Sequence, residues 1–132
     1  MIVVDSSAWV DWATNGGSAR LYDALGSSGH WVVPQHFRLE AMNAARGLWL
    51  GRHLSAGEFD EVVEQLGTAD LDEWPTASLI PRIRELAANA NAYDAAYVAL
   101  AEELGCAIVA ADAKLARIPG IRCRVLGFDE SA

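Results

Sequence analysis

The sequence predicts a three-layer α/β fold, with a mainly parallel central sheet of about five strands flanked by helices. Three observations predict it. Short apolar runs rich in Val and Ile recur without polar alternation, as in strands covered on both faces. Between them lie stretches with helical spacing and helix-capping residues, and strands that alternate with helices build parallel sheets. Two of the apolar runs, Ile2 to Val4 and Ala107 to Ala111, lead straight into an aspartate, Asp5 and Asp112.

Taken in order, Ile2, Val3 and Val4 predict a buried strand over 2–5 that ends in a carboxylate. In open α/β sheets ligands gather outside the carboxyl ends of such strands, although Asp5 or Ser6 also suits the cap of the next helix. That helix is expected over 7–13 and is broken by TNGGS; a second should cover 18–26. HWVVP then reads as a strand over 30–33 stopped by Pro34. The alanine- and leucine-rich segment after it predicts a helix over 35–51. Phe37, Glu40, Ala41, Ala44 and Leu48 share one of its faces, with Asn43 beside them, so a carboxylate is set into an apolar stripe.

Ser55 and Glu58 form a capping-box pattern that opens a helix over 56–66, ended by Gly67. TADLDEWP offers a short edge strand over 70–73, and 76–89 is expected to be helical. A helix over 92–104, closed by Gly105, places Asp94 on the face it shares with Tyr97, Val98 and Ala101. An acid in the first turn also suits the helix dipole. Residues 107–111 before Asp112 repeat the opening pattern, a short helix is expected over 113–117, and CRVLGF reads as a last strand over 123–128. No repeat, linker or low-complexity stretch interrupts the 132 residues, which read as a single domain over 1–132.

Composition narrows the function classes. With 52% hydrophobic and 21% charged residues, the chain can bury a core without metal or disulfide support. No apolar run approaches the ~18 to 20 residues of a membrane span, and the chain opens directly into a strand, so no membrane partner and a cytoplasmic location are expected. Cys106 and Cys123, with His30, His36 and His53, make no zinc spacing and are expected as free buried thiols. A balance of 10 basic against 18 acidic residues excludes broad non-specific nucleic-acid binding through a basic surface, but not a nucleic-acid enzyme. Arg38, Arg46, Arg52, Lys114 and Arg117 lie in the segments that carry the acids and are candidates for phosphate contacts. Trp9, Trp12 and Trp49, among five tryptophans, are candidates for a surface that takes another chain.

The acids form a constellation. In a right-handed parallel sheet, strand ends and the starts of the following helices share one rim, so Asp5, Glu40, Asp94 and Asp112 can converge there. Carboxylates about 5 Å apart repel by ~3 kcal/mol per pair at an effective dielectric of about 20, so the cluster calls for protons or a cation. Mg2+ or Mn2+ takes oxygen ligands and keeps several waters, and water held among carboxylates can attack a phosphodiester in line.

The sequence resembles the PIN-domain family, and within it the VapC-type ribonuclease toxins of toxin–antitoxin pairs. The resemblance covers essentially the whole chain. It rests on VDSSAWVDW, with Asp5 and Ser7; FRLEAMNAARG, with Glu40 and Asn43; YDAAYVALAEELG, with Asp94; and AIVAADAKLAR, with Asp112. One departure is Ala110, where many members carry a hydroxyl residue two positions before the last Asp. The resemblance implies a Mg2+- or Mn2+-dependent endoribonuclease with an RNA substrate, usually a homodimer, held inactive by a VapB-like antitoxin in a heterotetramer or larger complex. It implies Asp5, Glu40, Asp94 and Asp112 as metal ligands or their close supports, with Ser7 and Asn43 behind them; Arg38, Arg46, Lys114 and Arg117 are candidates for the substrate from their charge and position alone. Cleavage should leave a 5′-phosphate and a 3′-hydroxyl.

Two other readings use the same features. A Mg2+-dependent phosphatase or receiver domain also places an aspartate at a strand end. Phosphatases of that type need a second Asp at the position held here by Ser7, and a receiver needs a lysine that the last strand does not offer. A non-catalytic PIN-like binding module would not need all four acids.

Overall fold

A computed structural model describes residues 1–129. The chain runs β1 (Ile2–Val4), α1 (Ser6–Asn15), α2 (Ala19–Leu25), β2 (Trp31–Pro34), α3 (Phe37–Leu50), α4 (Ala56–Thr68), β3 (Asp72–Trp74), a 3-10 turn (Ala77–Leu79), α5 (Ile80–Leu86), α6 (Ala92–Leu104), β4 (Ile108–Val109), a second 3-10 turn (Leu115–Arg117) and β5 (Val125–Leu126). The five strands form one sheet in the order β3-β2-β1-β4-β5, and every pair is parallel. Val3, Val4, Val32, Val33, Ile108 and Val109 are completely buried, which is why these short runs carry no polar residue.

The strand order decides where a site can lie. From β1 the chain steps outward through β2 to β3, then returns to β4 on the other side of β1 and ends at β5. The direction of winding therefore reverses between β1 and β4, and the crevice outside their carboxyl ends is the topological switch point. α1 packs on α3 and α3 on α4, while α5 packs on α6, which lies against β1, β2 and β4. Right-handed crossovers put these two groups on opposite faces of the sheet. Residues Ala95 to Ala101 of α6 are all buried, so this helix is enclosed by its neighbours rather than amphipathic.

Several boundaries differ from the sequence expectation for local reasons. Pro34 ends β2 from within: the register with β1 reaches Val3↔Val32, and on the β3 side Gln35 N donates to Trp74 O at 2.9 Å, so the missing N–H breaks neither ladder. Gly67 does not end α4, which runs to Thr68 because the Arg38 guanidinium donates to the carbonyls of Leu66 and Ala69 and satisfies the helix end. The segment 76–89 divides into a 3-10 turn and α5, with Pro81 in the first turn of the latter. On α3 the buried stripe is Phe37, Ala41 and Ala45; Ala44 is exposed. β4 is only two residues long, because Ala111 N leaves the sheet to bond Ser7 Oγ at 3.2 Å. β5 covers only Val125–Leu126. Cys106 and Cys123 are free but half-buried rather than buried.

The tryptophans mostly serve the interior. Trp9 is 1% exposed and meets Trp12 and Phe37 edge-on, with ring centroids 6.3 Å and 6.4 Å apart. Trp49 stacks on Phe59 at 4.9 Å and pins α3 to α4. Only Trp49, at 37% exposure, keeps a large surface.

Gly127 closes β5 against β4. Its φ is +94°, and a Cβ there would lie 3.1 Å from both Ala110 O and Val109 Cγ1. Gly127→Ala is therefore expected to destabilise the protein by about 2 kcal/mol in urea unfolding, whereas Gly29→Ala, with nothing within 4 Å, should be close to neutral.

Candidate active site

Asp5 is the residue at which β1 becomes α1. Its backbone N–H completes the sheet by donating to Val109 O at 2.9 Å, and its carbonyl accepts the first helical bonds from Ala8 and Trp9. The side chain does not cap the helix; it points into the rim of the sheet and is only 8% exposed. Burial pushes its carboxyl up to about 6, and the charges of Glu40, Asp112 and Asp94 add to the rise, while the Ser7 hydroxyl opposes it. All four acids named from the sequence are therefore within electrostatic reach of one another.

Each of the other three is set by its own helix or turn. Glu40, in the first turn of α3, accepts through Oε1 from Ser6 Oγ at 2.9 Å and Tyr97 OH at 2.7 Å. Its Oε2 lies 4.0 Å from His36 Nε2. Asp94 sits in the first turn of α6, whose N-cap is Asn91, and its Oδ2 pairs with Lys114 Nζ at 2.9 Å. The Asp94 charge raises the lysine further above its ordinary range. Asp112 stands three residues beyond β4, is exposed, and accepts from Lys114 N at 2.9 Å, so it tethers a local turn as well as facing the cluster.

Ser7 joins the two strand ends. Its hydroxyl donates to Asp5 Oδ2 at 2.5 Å and accepts from Ala111 N. Asn43 is exposed and, among the described residues, makes no side-chain hydrogen bond to the acids; it borders a cavity beside Glu40. Lys114 and Arg117 line a cavity of about 450 Å3 together with Asp94 and Asp112. Arg38 is elsewhere: its guanidinium pairs with Glu73 and the end of α4, which corrects its reading as a substrate contact. Arg46 is exposed six residues, or roughly 9 Å, along α3 from Glu40, and Arg52 follows that helix in the only positive-φ conformation of a described non-glycine residue.

Sequence reading missed Ser6 and Tyr97 as partners of Glu40. Tyr97 is fully buried, and burial beside Asp5 and Glu40 raises its phenol strongly, so it stays protonated and donates. Its place on the Asp94 face of α6 was visible in the spacing, but not that its hydroxyl reaches across to α3.

The donor set suits a hard divalent cation: four carboxylates with no sulfur and one half-buried imidazole at the edge. Among the described residues no three His, Cys, Asp or Glu side chains are gathered tightly enough to cage an ion as they stand. The ion pair of Asp94 with Lys114 holds one carboxylate toward the lysine.

A family model for the PIN domain matches residues 2–121. The chain is 35% identical over 125 residues to Ribonuclease VapC9 of Mycobacterium tuberculosis, covering 95% of this chain and 96% of that protein. Among solved structures it is similar to Mycobacterium tuberculosis VapC20, described as a Sarcin-Ricin loop cleaving toxin, with a TM-score of 0.65, 18% identity, and coverage of 92% of this chain and 97% of that one. It is also similar to VapBC2 from Rickettsia felis, determined with a promoter DNA fragment, with a TM-score of 0.66, 13% identity, and coverage of 96% and 99%. At these identities the structural likeness speaks for the fold.

The acidity of Asp5 has a measurable consequence in the metal-free protein. Its folded value, about 6, lies above the ordinary 3.8, so the folded state binds the extra proton between these values and loses stability as pH rises through them. At ~1.4 kcal/mol per pH unit the loss from this group is about 3 kcal/mol and is complete above about pH 6. Urea unfolding in EDTA should show the stability gain of Asp5→Asn over wild type growing by about 2 to 3 kcal/mol between pH 4 and pH 7. A pH-independent difference would contradict the assigned environment of Asp5.

Proposed function

The chain belongs to the PIN-domain family and to its VapC ribonucleases, and on that premise we propose that it is a metal-dependent endoribonuclease, the toxin of a type II toxin–antitoxin pair. The observation that supports the reading is the position of Asp5 at the switch point between β1 and β4, within electrostatic reach of Glu40, Asp94 and Asp112. Carboxylates within electrostatic reach of one another attract a hard cation, which favours Mg2+ or Mn2+ as the cofactor.

Asp5 and Asp94 are the firmer candidates for direct ligands, with Glu40 and Asp112 acting directly or through water. When bound, the ion would supply an activated water and neutralise charge on the scissile phosphate. The chain's own residues have distinct tasks. Ser7 orients the Asp5 carboxylate; Ser6 and Tyr97 fix one oxygen of Glu40 and leave the other open. Lys114 and Arg117 stand on the wall beside Asp94 and Asp112, placed to meet phosphate oxygens of RNA. Water would attack phosphorus and the 3′-oxygen would leave and take up a proton, so the products are a 5′-phosphate and a 3′-hydroxyl.

The partner is a VapB-like antitoxin whose basic segment reaches the acids in place of the cation. A net charge of −8 favours such a partner. The toxin is a homodimer that assembles with antitoxin into a heterotetramer or larger complex. Among the described residues no helix is long and apolar enough to cross a membrane.

Asp94→Asn keeps the shape of the side chain and removes its charge. It should lower RNA cleavage in Mg2+ by at least about 100-fold with an unchanged circular dichroism spectrum, and EDTA should silence the wild type. Cleavage by the variant at the wild-type rate would overturn the site assignment.

Mn2+ should stabilise the wild type by about 2.7 kcal/mol at a free concentration a hundred times its dissociation constant, a rise of several degrees in Tm. Asp112→Asn should melt slightly higher in EDTA and respond less to Mn2+. Equal responses in thermal melts would remove Asp112 from the metal site. Light scattering at tens of micromolar should give the mass of a dimer.

A further inference from the structure

Beside the acids, and sharing Glu40 with them, lies a second cavity of about 390 Å3 lined by His36, Leu39, Glu40, Asn43 and Tyr93. Its chemistry differs from the ionic cavity around Lys114. Leu39 and Tyr93 are 75% and 62% exposed, the two largest exposures of big apolar side chains apart from Tyr22, and both border this one space. Tyr93 meets His36 at an angle of 64°, with ring centroids 5.4 Å apart, so one edge is held while most of the ring stays open. His36 is held in turn by Tyr97, 5.3 Å away. The His36 Nε2 is buried without a hydrogen-bond partner, the one such side-chain atom among the described residues. Asn43 adds an amide that both donates and accepts.

An open aromatic ring, an aliphatic side chain and an amide suit a flat heteroaromatic ligand with a hydrogen-bonding edge. A basic peptide segment fits less well. Glu40, which belongs to the acid cluster, is the one carboxylate on its wall; the other lining groups are two rings, an aliphatic side chain and an amide. The shared Glu40 places any occupant directly next to the acids.

We infer that this cavity receives the nucleobase next to the scissile phosphate of the RNA substrate, stacked on Tyr93 and read along its edge by Asn43, so that it sets the sequence preference of cleavage. The inference rests on the ribonuclease reading of the neighbouring acids. Tyr93 and Asn43 are both exposed, and their truncation leaves the core untouched.

Two measurements on the full chain test it. In NMR titrations with adenosine, guanosine, cytidine and uridine, at least one nucleoside should shift the Asn43 side-chain amide and the Tyr93 ring, and Tyr93→Ala should abolish the shifts at Asn43. In cleavage of an oligoribonucleotide pool randomised around the cut, Tyr93→Ala and Asn43→Ala should lose the wild-type preference at one flanking position. The KM of Tyr93→Ala on the preferred sequence should rise about 10-fold, with kcat changed much less. RNA cleavage with no nucleoside shifts and with preference and KM unchanged in both variants would overturn the inference and leave the ribonuclease reading standing. Nucleoside shifts in a wild-type protein that cuts no RNA would support the base pocket and overturn that reading instead. Shifts of Asn43 and Tyr93 with a basic peptide, and with none of the four nucleosides, would assign the cavity to a protein partner and overturn the inference.

Discussion

The structure is organised around a conflict at the end of β1: a buried carboxylate that three other carboxylates oppose. Asp5 cannot move away from it, because its backbone N–H is a rung of the sheet and its carbonyl begins α1. The strand behind it is fully buried between β2 and β4, so the position of the charge is as rigid as the core itself. The fold places this charge where the sheet's winding reverses, the one crevice on the rim that no crossover helix fills.

The neighbouring groups limit the conflict without removing it. Ser7 supports the Asp5 carboxylate and also takes the amide of Ala111, so the hydroxyl that orients the acid also ends β4 early and directs the chain toward Asp112. Glu40 is fixed by Ser6 on α1 and by Tyr97 on α6, so elements from both faces of the sheet meet on a single oxygen. Lys114 neutralises Asp94 from a turn that is itself tied to Asp112. Asp5 and Glu40 thus share partners on α1, and Asp94 and Asp112 share Lys114, so the acids are tied together in pairs.

The rim on either side of the acids has two characters. Toward Lys114 and Arg117 it is basic, suited to a phosphate backbone; toward Tyr93, Leu39 and Asn43 it is aromatic and aliphatic with one amide, suited to a base. Two kinds of wall on one acidic centre give positioning and selection separate surfaces, so either can change without remaking the acids.

The sequence alone determined the order of elements, the parallel sheet and the four acids, because each depends on a local pattern. A β-branched run ending in Asp, a capping box at Ser55 and Glu58, and the helix from Ala92 to the left-handed Gly105 are settled within a few residues of chain. The tertiary structure decided which side chains support the acids and which do not. Arg38 looked like a substrate contact because it is near Glu40 in sequence, but its guanidinium has carbonyl partners at the end of α4. Tyr97 looked like core because it is apolar in bulk, and only the meeting of α3 and α6 at the rim of the sheet brings its hydroxyl to Glu40. The short extents of β4 and β5 likewise follow from the Ser7 bond to Ala111 and the close approach of Gly127 to Ala110. These are contacts between residues tens of positions apart, and no periodicity in the chain encodes them.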